Sequence, residues 1–346
     1  MERVNERLAA AVGSALARFL PGETVQNIRP YLAYDKPTYL KQITDVSCAS
    51  GRRFVVKLIH EDGGALEKER DKIERQSAFS EFLRQNSILT PRRYRADGAY
   101  CVLSAYGDRI CCATVEDRGG EEIREISAAL AHRIGALLAR IHTLSLQSNY
   151  RIGCGTLFGA AVKNDVNAFD ALRKLCGDPR LDAAAFSRIE TLYGRRMDAI
   201  RSFWDTLPRA ATQGDISINN LADTPNGLLV FDYNNAGDEV LVSDLVLEGL
   251  LTAYEMDLPN GVQRSERERL FPAFLEGYCT VRKLTDTERR AAWEIYALYD
   301  SLWFTKILHN DESLEKLTER GDVERANALL GRMERDLTRK DTGLFF

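Results

Sequence analysis

The side chains best suited to chemistry are concentrated in one stretch, TQGDISINNLADTPNGLLVFDYNNAGD, residues 212–238. Asp215 and Asp232 stand on apolar, strand-like flanks, with Asn219 and Asn220 between them. Carboxylates and amide oxygens are groups that move protons and hold hard cations. Such a cluster can also be a plain polar turn closed by Asx hydrogen bonds. The remaining chemistry-bearing residues are dispersed. The four histidines form no cluster, and His132 and His142 fall on one long helical stretch, where packing or local hydrogen bonding suffices to explain them. The seven cysteines include the adjacent Cys111 and Cys112 but no CxxC pair and no Cys/His spacing for zinc, which points to a reduced, cytoplasmic protein. Lys57 ends the run Phe54-Val55-Val56 of an otherwise apolar strand. A strand-end lysine can simply reach solvent along its stem.

These residues need elements to position them. Residues 24–60 read as three strands: PYLAYDKPTYLKQITDV alternates aromatic and polar positions, and GRRFVVKLIH rises from a glycine turn. A helix follows over EDGGALEKERDKIERQSAFSEFLRQNSILTP, with Leu66, Ile73, Phe79, Phe82 and Leu83 on its apolar face and Pro91 closing it. Two short strands are expected around RRYRA and AYCVLSA, turning at Asp97-Gly98, with a hinge near Leu103–Gly107. After Gly107 the chain turns helical. EIREISAALAHRIGALLARIHTL, residues 165–176, residues 183–207 and the segments beyond SDLVLEGLLTAYEM all carry helical spacing. Only the polar stretch interrupts them, as a strand-turn-strand at Pro225-Asn226-Gly227. Two domains follow, 1–106 and 107–346, a division natural for 346 residues. The opening helix carries the stripe Leu8, Val12, Leu16 and Phe19 and lacks the unbroken apolar region of a signal peptide. A net charge of -4 argues against a dedicated nucleic-acid binder, and no window approaches a membrane span.

Three separated stretches together resemble the aminoglycoside phosphotransferase and choline kinase superfamily. FVVKL around Lys57 is similar to the strand bearing its nucleotide-phosphate lysine, and RIGALLARIHTL to the helix before its catalytic loop. QGDISINN and VFDYNNAGD resemble the His-Gly-Asp-x-x-x-x-Asn loop and the metal-binding Asp, and SDLVLEG the Asp-Leu-Ala signature that follows. The resemblance implies an α+β, protein-kinase-like two-lobe fold. Its N-lobe would be a five-stranded antiparallel sheet plus a helix, and its larger C-lobe mostly helical. It also implies γ-phosphate transfer from ATP or GTP to the hydroxyl of a small molecule, with neither nucleic acid nor membrane as partner. Asp215 would then orient and deprotonate the hydroxyl, while Asn220 and Asp232 would hold Mg²⁺ against the phosphates. Lys57 would touch the α/β-phosphates, and Leu103 and Ala105 in the hinge would contact the nucleotide. A helix carboxylate should steady Lys57. Glu69 and Glu74 are candidates, with Glu67 a further one. Glu74 is chosen as nearest the family's position, although aligning on Phe82-Leu83 and Pro91 puts Gln76 there.

Two departures stand out. Gln213 replaces the family's loop histidine, and the AYDKPTY loop has no glycine to bring backbone amides onto phosphates. Phosphate contact would then come from Lys36, Thr38 or backbone amides, or nucleotide binding would be altered. Glu248, Glu255 and Asp257 could form an acidic wall for a cationic acceptor such as an aminosugar or amino alcohol, or be ordinary exposed helix charges. The reading from a different class is a non-catalytic, kinase-like module that binds nucleotide or a partner. The absent glycines favour it; the joint presence of Asp215, Asn220, Asp232 and Lys57 opposes it. A protein kinase fits less well, since Gly214 precedes Asp215 where an arginine is expected.

Overall fold

The structure, a computed structural model, describes residues 6–61, 66–156, 168–253, 264–340 and 343–345. Glu255 and Asp257 and the start of the helix expected over 165–176 lie outside them. The described chain forms two compact units. The first holds residues up to Ile123, Ile152–Cys154 and Asn219–Asn234; the second holds the rest.

The first unit contains α1 (Glu6–Phe19), β1 (Val25–Lys36), β2 (Tyr39–Cys48), β3 (Arg53–Glu61), α2 (Leu66–Gln85), β4 (Val102–Tyr106) and β5 (Arg109–Asp117). The five strands form one sheet in the order β1-β2-β3-β5-β4, with every neighbouring pair antiparallel. Alternation decides which side chains face which way. Phe54, Val56 and Leu58 of β3 join Leu40, Val46, Ala113 and Val115 in a buried core completed by Leu8, Val12, Leu16 and Phe19 of α1. The amphipathic stripe of the opening helix is thus its buried face, and each such side chain contributes about 1.5–3 kcal/mol of burial. Lys57 falls between these core positions in sequence and emerges on the opposite face.

Five strands were expected and five form, but one of them lies elsewhere: AYCVLSA supplies β4, and the fifth strand is β5, not RRYRA. RRYRA makes only isolated bridges, Arg93 with Glu116 and Ala96 with Ala99. The predicted hinge is instead a hairpin: Tyr106 pairs with Arg109, and β5 runs back through the sheet to Asp117. The reason is local. Gly107 takes a φ of 63°, a left-handed conformation that suits a tight reversal. The chain leaves this unit after Ile123, whose N–H donates to the Leu221 carbonyl at 3.0 Å.

The second unit contains α3 (Ala128–Gln147), α4 (Phe169–Leu175), α5 (Ala183–Trp204) and β6 (Arg209–Thr212). The chain then crosses to the first unit for β7 (Leu221–Thr224) and β8 (Gly227–Val230), an antiparallel hairpin. It returns for β9 (Gly237–Val240), which pairs with β6, and for α6 (Leu241–Ala253). The remaining helices are α7 (Arg264–Val281), α8 (Asp286–Ser301), α9 (Phe304–Ile307), α10 (Leu314–Glu319) and α11 (Val323–Leu337). Helix α6 is buried along its whole length, consistent with its nearly unbroken apolar sequence. Among the described residues no helix is long and apolar enough to cross a membrane.

Helices α3 and α7 approach so closely that glycine is required on both. A Cβ on Gly135 would lie 1.9 Å from the Phe274 carbonyl oxygen, and one on Gly277 would lie 1.9 Å from the His132 carbonyl oxygen. Gly13 in α1 has nothing within 4 Å of an added Cβ. The same substitution should therefore have opposite signs at the two sites. Gly13→Ala should stabilise by up to ~1 kcal/mol through helix propensity. Gly135→Ala should destabilise by about 2 kcal/mol or more, because backbone must move to admit the methyl group. Urea unfolding midpoints of the two variants against wild type check this.

Candidate functional site

The first unit gathers Lys57, Asn220 and Asp232. Lys57 is only 4% exposed, and a buried ammonium is costly unless paired. Its Nζ donates to Asp232 Oδ1 at 3.2 Å, joining residues 175 positions apart. A second carboxylate oxygen, Oε1 of Glu116, lies 3.4 Å away. Asp232 is held in the left-handed region with φ 56°, a conformation that costs roughly 1–2 kcal/mol for most residues and that aspartate tolerates better. Its Oδ1 also accepts from the Asn234 N–H at 3.3 Å, closing an Asx turn. Burial pushes the Asp232 carboxyl up, but the charges of Lys57 and Lys41 and the hydrogen bonds from Lys57 and Asn234 more than offset it. The group is held below its ordinary range.

Hairpin register explains how Asn220 comes to the same end as Asp232. Leu221 pairs with Val230, and one step further the Phe231 N–H donates to the Asn220 carbonyl at 3.0 Å. Asn220 is 8% exposed. The two residues supply hard oxygen donors of the kind Mg²⁺ takes, but far fewer than its usual six. Among the described residues no three His, Cys, Asp or Glu side chains are grouped to hold a metal. The donor set therefore fits a divalent cation that draws its other ligands from phosphate and water.

The helix carboxylate chosen for Lys57 is occupied elsewhere. Glu74 accepts from the backbone N–H groups of Tyr100 and Cys101, at 3.1 and 2.6 Å. Gln76 is buried, and its amide donates to the Asn234 carbonyl at 2.7 Å, tying α2 to the residues just after Asp232. Leu103 and Ala105 sit on β4, the edge strand of the sheet and not a hinge. The Leu103 carbonyl accepts from Arg18 of α1 at 2.9 Å. The glycine-free loop is a two-residue turn, Pro37-Thr38, between the paired Lys36 and Tyr39. Pro37 has no N–H, so this turn cannot cradle phosphate as a glycine-rich loop does. Half-buried Lys41 on β2 was not singled out in the sequence, yet its charge acts on Asp232.

The second unit holds Asp215 at the start of the loop leaving β6. Its Oδ1 accepts from the Ser217 hydroxyl at 2.7 Å and its Oδ2 from the Asn235 amide at 2.8 Å. Two charge-assisted hydrogen bonds fix a carboxylate in a single orientation. Gly214 has a φ of 76°, and a Cβ there would meet the Asn235 carbonyl oxygen at 2.6 Å, so only glycine fits before Asp215. Gln213 is fully buried, and its side-chain oxygen accepts from the Asp215 N–H at 2.8 Å. Its side chain thereby braces the loop from the position where the resemblance places a histidine.

Glu248 differs from its expected place on an acceptor wall. It is fully buried in α6 and accepts from the Ile216 N–H at 2.7 Å, bracing the loop from below. His142 of α3 is equally buried. Its Nε2 lies 2.9 Å from Asp244 Oδ2, and its Nδ1 lies 2.9 Å from the Tyr278 hydroxyl. Thr212, the last residue of β6, donates to the same Asp244 oxygen at 2.8 Å. Nε2 is then the donor and Nδ1 the acceptor of a neutral ring. Asn235 and Glu248 could be found only once the chain was folded, because an asparagine in a turn and a helical glutamate carry no local signal for these contacts.

The sequence matches no family model and no curated protein. Several solved structures match along nearly the whole chain. An amicoumacin kinase, hAmiN, in complex with AMP-PNP, Ca²⁺ and Ami is 14% identical with a TM-score of 0.60, over 93% of this chain and 94% of that one. A microcompartment-associated aminopropanol kinase is 15% identical with a TM-score of 0.58, over 96% and 99%. An aminoglycoside phosphotransferase from Alicyclobacillus acidocaldarius is 14% identical with a TM-score of 0.56, over 97% of each chain. The protein has the protein-kinase-like α+β fold of these small-molecule kinases.

The His142 network predicts a pH dependence. Burial lowers the His142 pKa, against the opposing pull of Asp244. The unfolded chain, with an ordinary histidine pKa of about 6.5, then binds a proton that the folded chain refuses. Stability should fall as pH drops below about 6.5, the unfolded value. His142→Gln should remove this component and so flatten the profile relative to wild type between about pH 7.5 and 5.5. Melting temperatures of the two proteins across that range provide the measurement.

Proposed function

We propose that the protein is a phosphotransferase that moves the γ-phosphate of ATP or GTP to a hydroxyl of a small molecule. The carrying observation is the 3.2 Å contact between Lys57 and Asp232, with Asn220 at the same end of the hairpin. A buried lysine poised beside a carboxylate that a cation could claim is an arrangement a phosphate site can use and a purely structural core does not need.

In the proposed reaction Asp215 accepts a hydrogen bond from the acceptor hydroxyl and orients its oxygen toward the γ-phosphorus. The new bond forms between that oxygen and phosphorus, and the bond to the β–γ bridging oxygen breaks. The hydroxyl proton passes to Asp215, and the nucleoside diphosphate departs with the electron pair. Ser217 and Asn235 hold the carboxylate in place for this transfer. Lys57 and Lys41 would face the phosphates, compensating for the short Pro37-Thr38 turn. A divalent cation held by Asn220 and Asp232 would neutralise phosphate charge. The acceptor is a small hydroxyl compound, with an aminosugar or amino alcohol favoured by the kinases that share the fold.

The second reading is a kinase-like module that binds nucleotide or a partner without transfer. The Pro37-Thr38 turn is the observation that favours it.

Two measurements decide between these. Asp215→Asn keeps shape and removes the base, whose contribution is typically about 10²–10⁴-fold. The variant should bind ATP and Mg²⁺ as wild type does, yet transfer phosphate at least about a hundredfold more slowly. Wild-type protein that binds nucleotide but transfers nothing across a broad panel of hydroxyl acceptors would favour the module. Separately, Mg²⁺ titrated into nucleotide-free protein should bind weakly, and nucleotide should strengthen it; tight binding of Mg²⁺ alone would mean that Asn220 and Asp232 are misassigned.

A further inference from the structure

A buried lysine that must meet phosphates needs a partner that stays when the phosphates arrive. Asp232 is not that partner if it turns to a cation, and of the α2 residues nearest the expected place Glu74 is engaged with two backbone amides and Gln76 is neutral. We propose that Glu116 of β5, held in turn by Arg93, is the positioning residue for Lys57. The proposal rests on the phosphotransfer reading and replaces the helix carboxylate with one carried by the sheet itself.

Register makes the placement. Lys57 pairs with Thr114 and Val55 pairs with Glu116 across the β3–β5 ladder. Lys57 and Glu116 are therefore diagonal neighbours on one face, within reach for long side chains. Glu116 is 5% exposed, and its two oxygens face different cations. Oε1 lies 3.4 Å from Lys57 Nζ, and Oε2 lies 3.0 Å from Arg93 Nε. Arg93 is itself buried, donates to the Ser77 hydroxyl at 2.7 Å and lies over the Tyr233 ring at 5.7 Å. Arg93 is thereby fixed from α2 and from the residue after Asp232, and it holds the Glu116 oxygen that does not face Lys57. Lys57 and Arg93 balance Glu116 and Asp232, so the network is neutral and tolerable inside the unit. With Asp232 given over to a cation, Lys57 would remain tied to Glu116, its ammonium aimed at the phosphates instead of free to swing.

A double-mutant cycle tests this with the full-length protein, reading affinity for ATP with Mg²⁺ by calorimetry. Contacting residues are energetically coupled, so Glu116→Gln should weaken binding roughly tenfold. In a Lys57→Met background the same change should cost less than about twofold, because Glu116 acts through the ammonium. A merely structural Glu116 would cost the same in both backgrounds, and that result overturns the proposal, as does wild-type affinity in Glu116→Gln. Should Glu116→Gln fail to fold, Arg93→Met/Glu116→Met removes the pair without leaving a lone charge. Adding Lys57→Met to that variant should then cost several-fold less than Lys57→Met costs in wild type, and an equal loss in both overturns the assignment. If the wild-type protein binds no nucleotide, this proposal falls together with the phosphotransfer reading. Additive losses in a wild type that does bind overturn this one alone.

Discussion

The ammonium of Lys57 is the constraint around which the first unit is arranged. It sits within the sheet at 4% exposure, where an unpaired charge would be expelled or neutralised. Two carboxylates from distant parts of the chain meet it, Asp232 from the hairpin exit and Glu116 from β5. Each is held by something else. Asp232 depends on the Asx turn with Asn234, whose carbonyl is gripped by Gln76 of α2. Glu116 depends on Arg93, which depends on Ser77 of the same helix. Helix α2 thus governs the lysine indirectly, through an amide and a hydroxyl, where a direct helix carboxylate was expected.

The second unit solves a different problem, fixing a carboxylate on a loop. Loops carry function only when a scaffold determines their backbone. Here Gly214 permits the turn, Gln213 caps the Asp215 amide, and Glu248 binds the next amide from beneath. The network of His142, Asp244, Thr212 and Tyr278 anchors the strand that feeds the loop. These are fully buried polar groups, and their cost is offset by mutual hydrogen bonds, so the loop rests on a rigid floor.

Under the proposed function, phosphate would be met by side chains more than by backbone. A two-residue turn with proline at its first position leaves few amides to offer. Lys41 stands two positions beyond Tyr39, which closes that turn, and its field already reaches Asp232. Two lysines converging on one carboxylate keep it ionised and leave cations in place for an incoming anion.

Local pattern by itself determined much of this. The stripe of Leu8, Val12, Leu16 and Phe19, the apolar alternation around Lys57 and the strand-turn-strand at Pro225–Gly227 each carry their structure in nearest-neighbour spacing, and each is present as read. The polar loop that carries Asp215 and the hairpin that brings Asn220 and Asp232 to one end were legible from polar residues spaced between apolar, strand-like flanks. Tertiary structure decided the partners. The hinge at Leu103–Gly107 became a hairpin because Gly107 could reverse the chain before β5 completed the sheet. Glu74 turned to the amides of Tyr100 and Cys101, Glu248 became an interior brace, and Glu116 took the place beside Lys57. A sequence shows which faces are apolar because burial follows a short period. It does not show which carboxylate meets a given cation, because that depends on ladder register and on residues brought together from far apart.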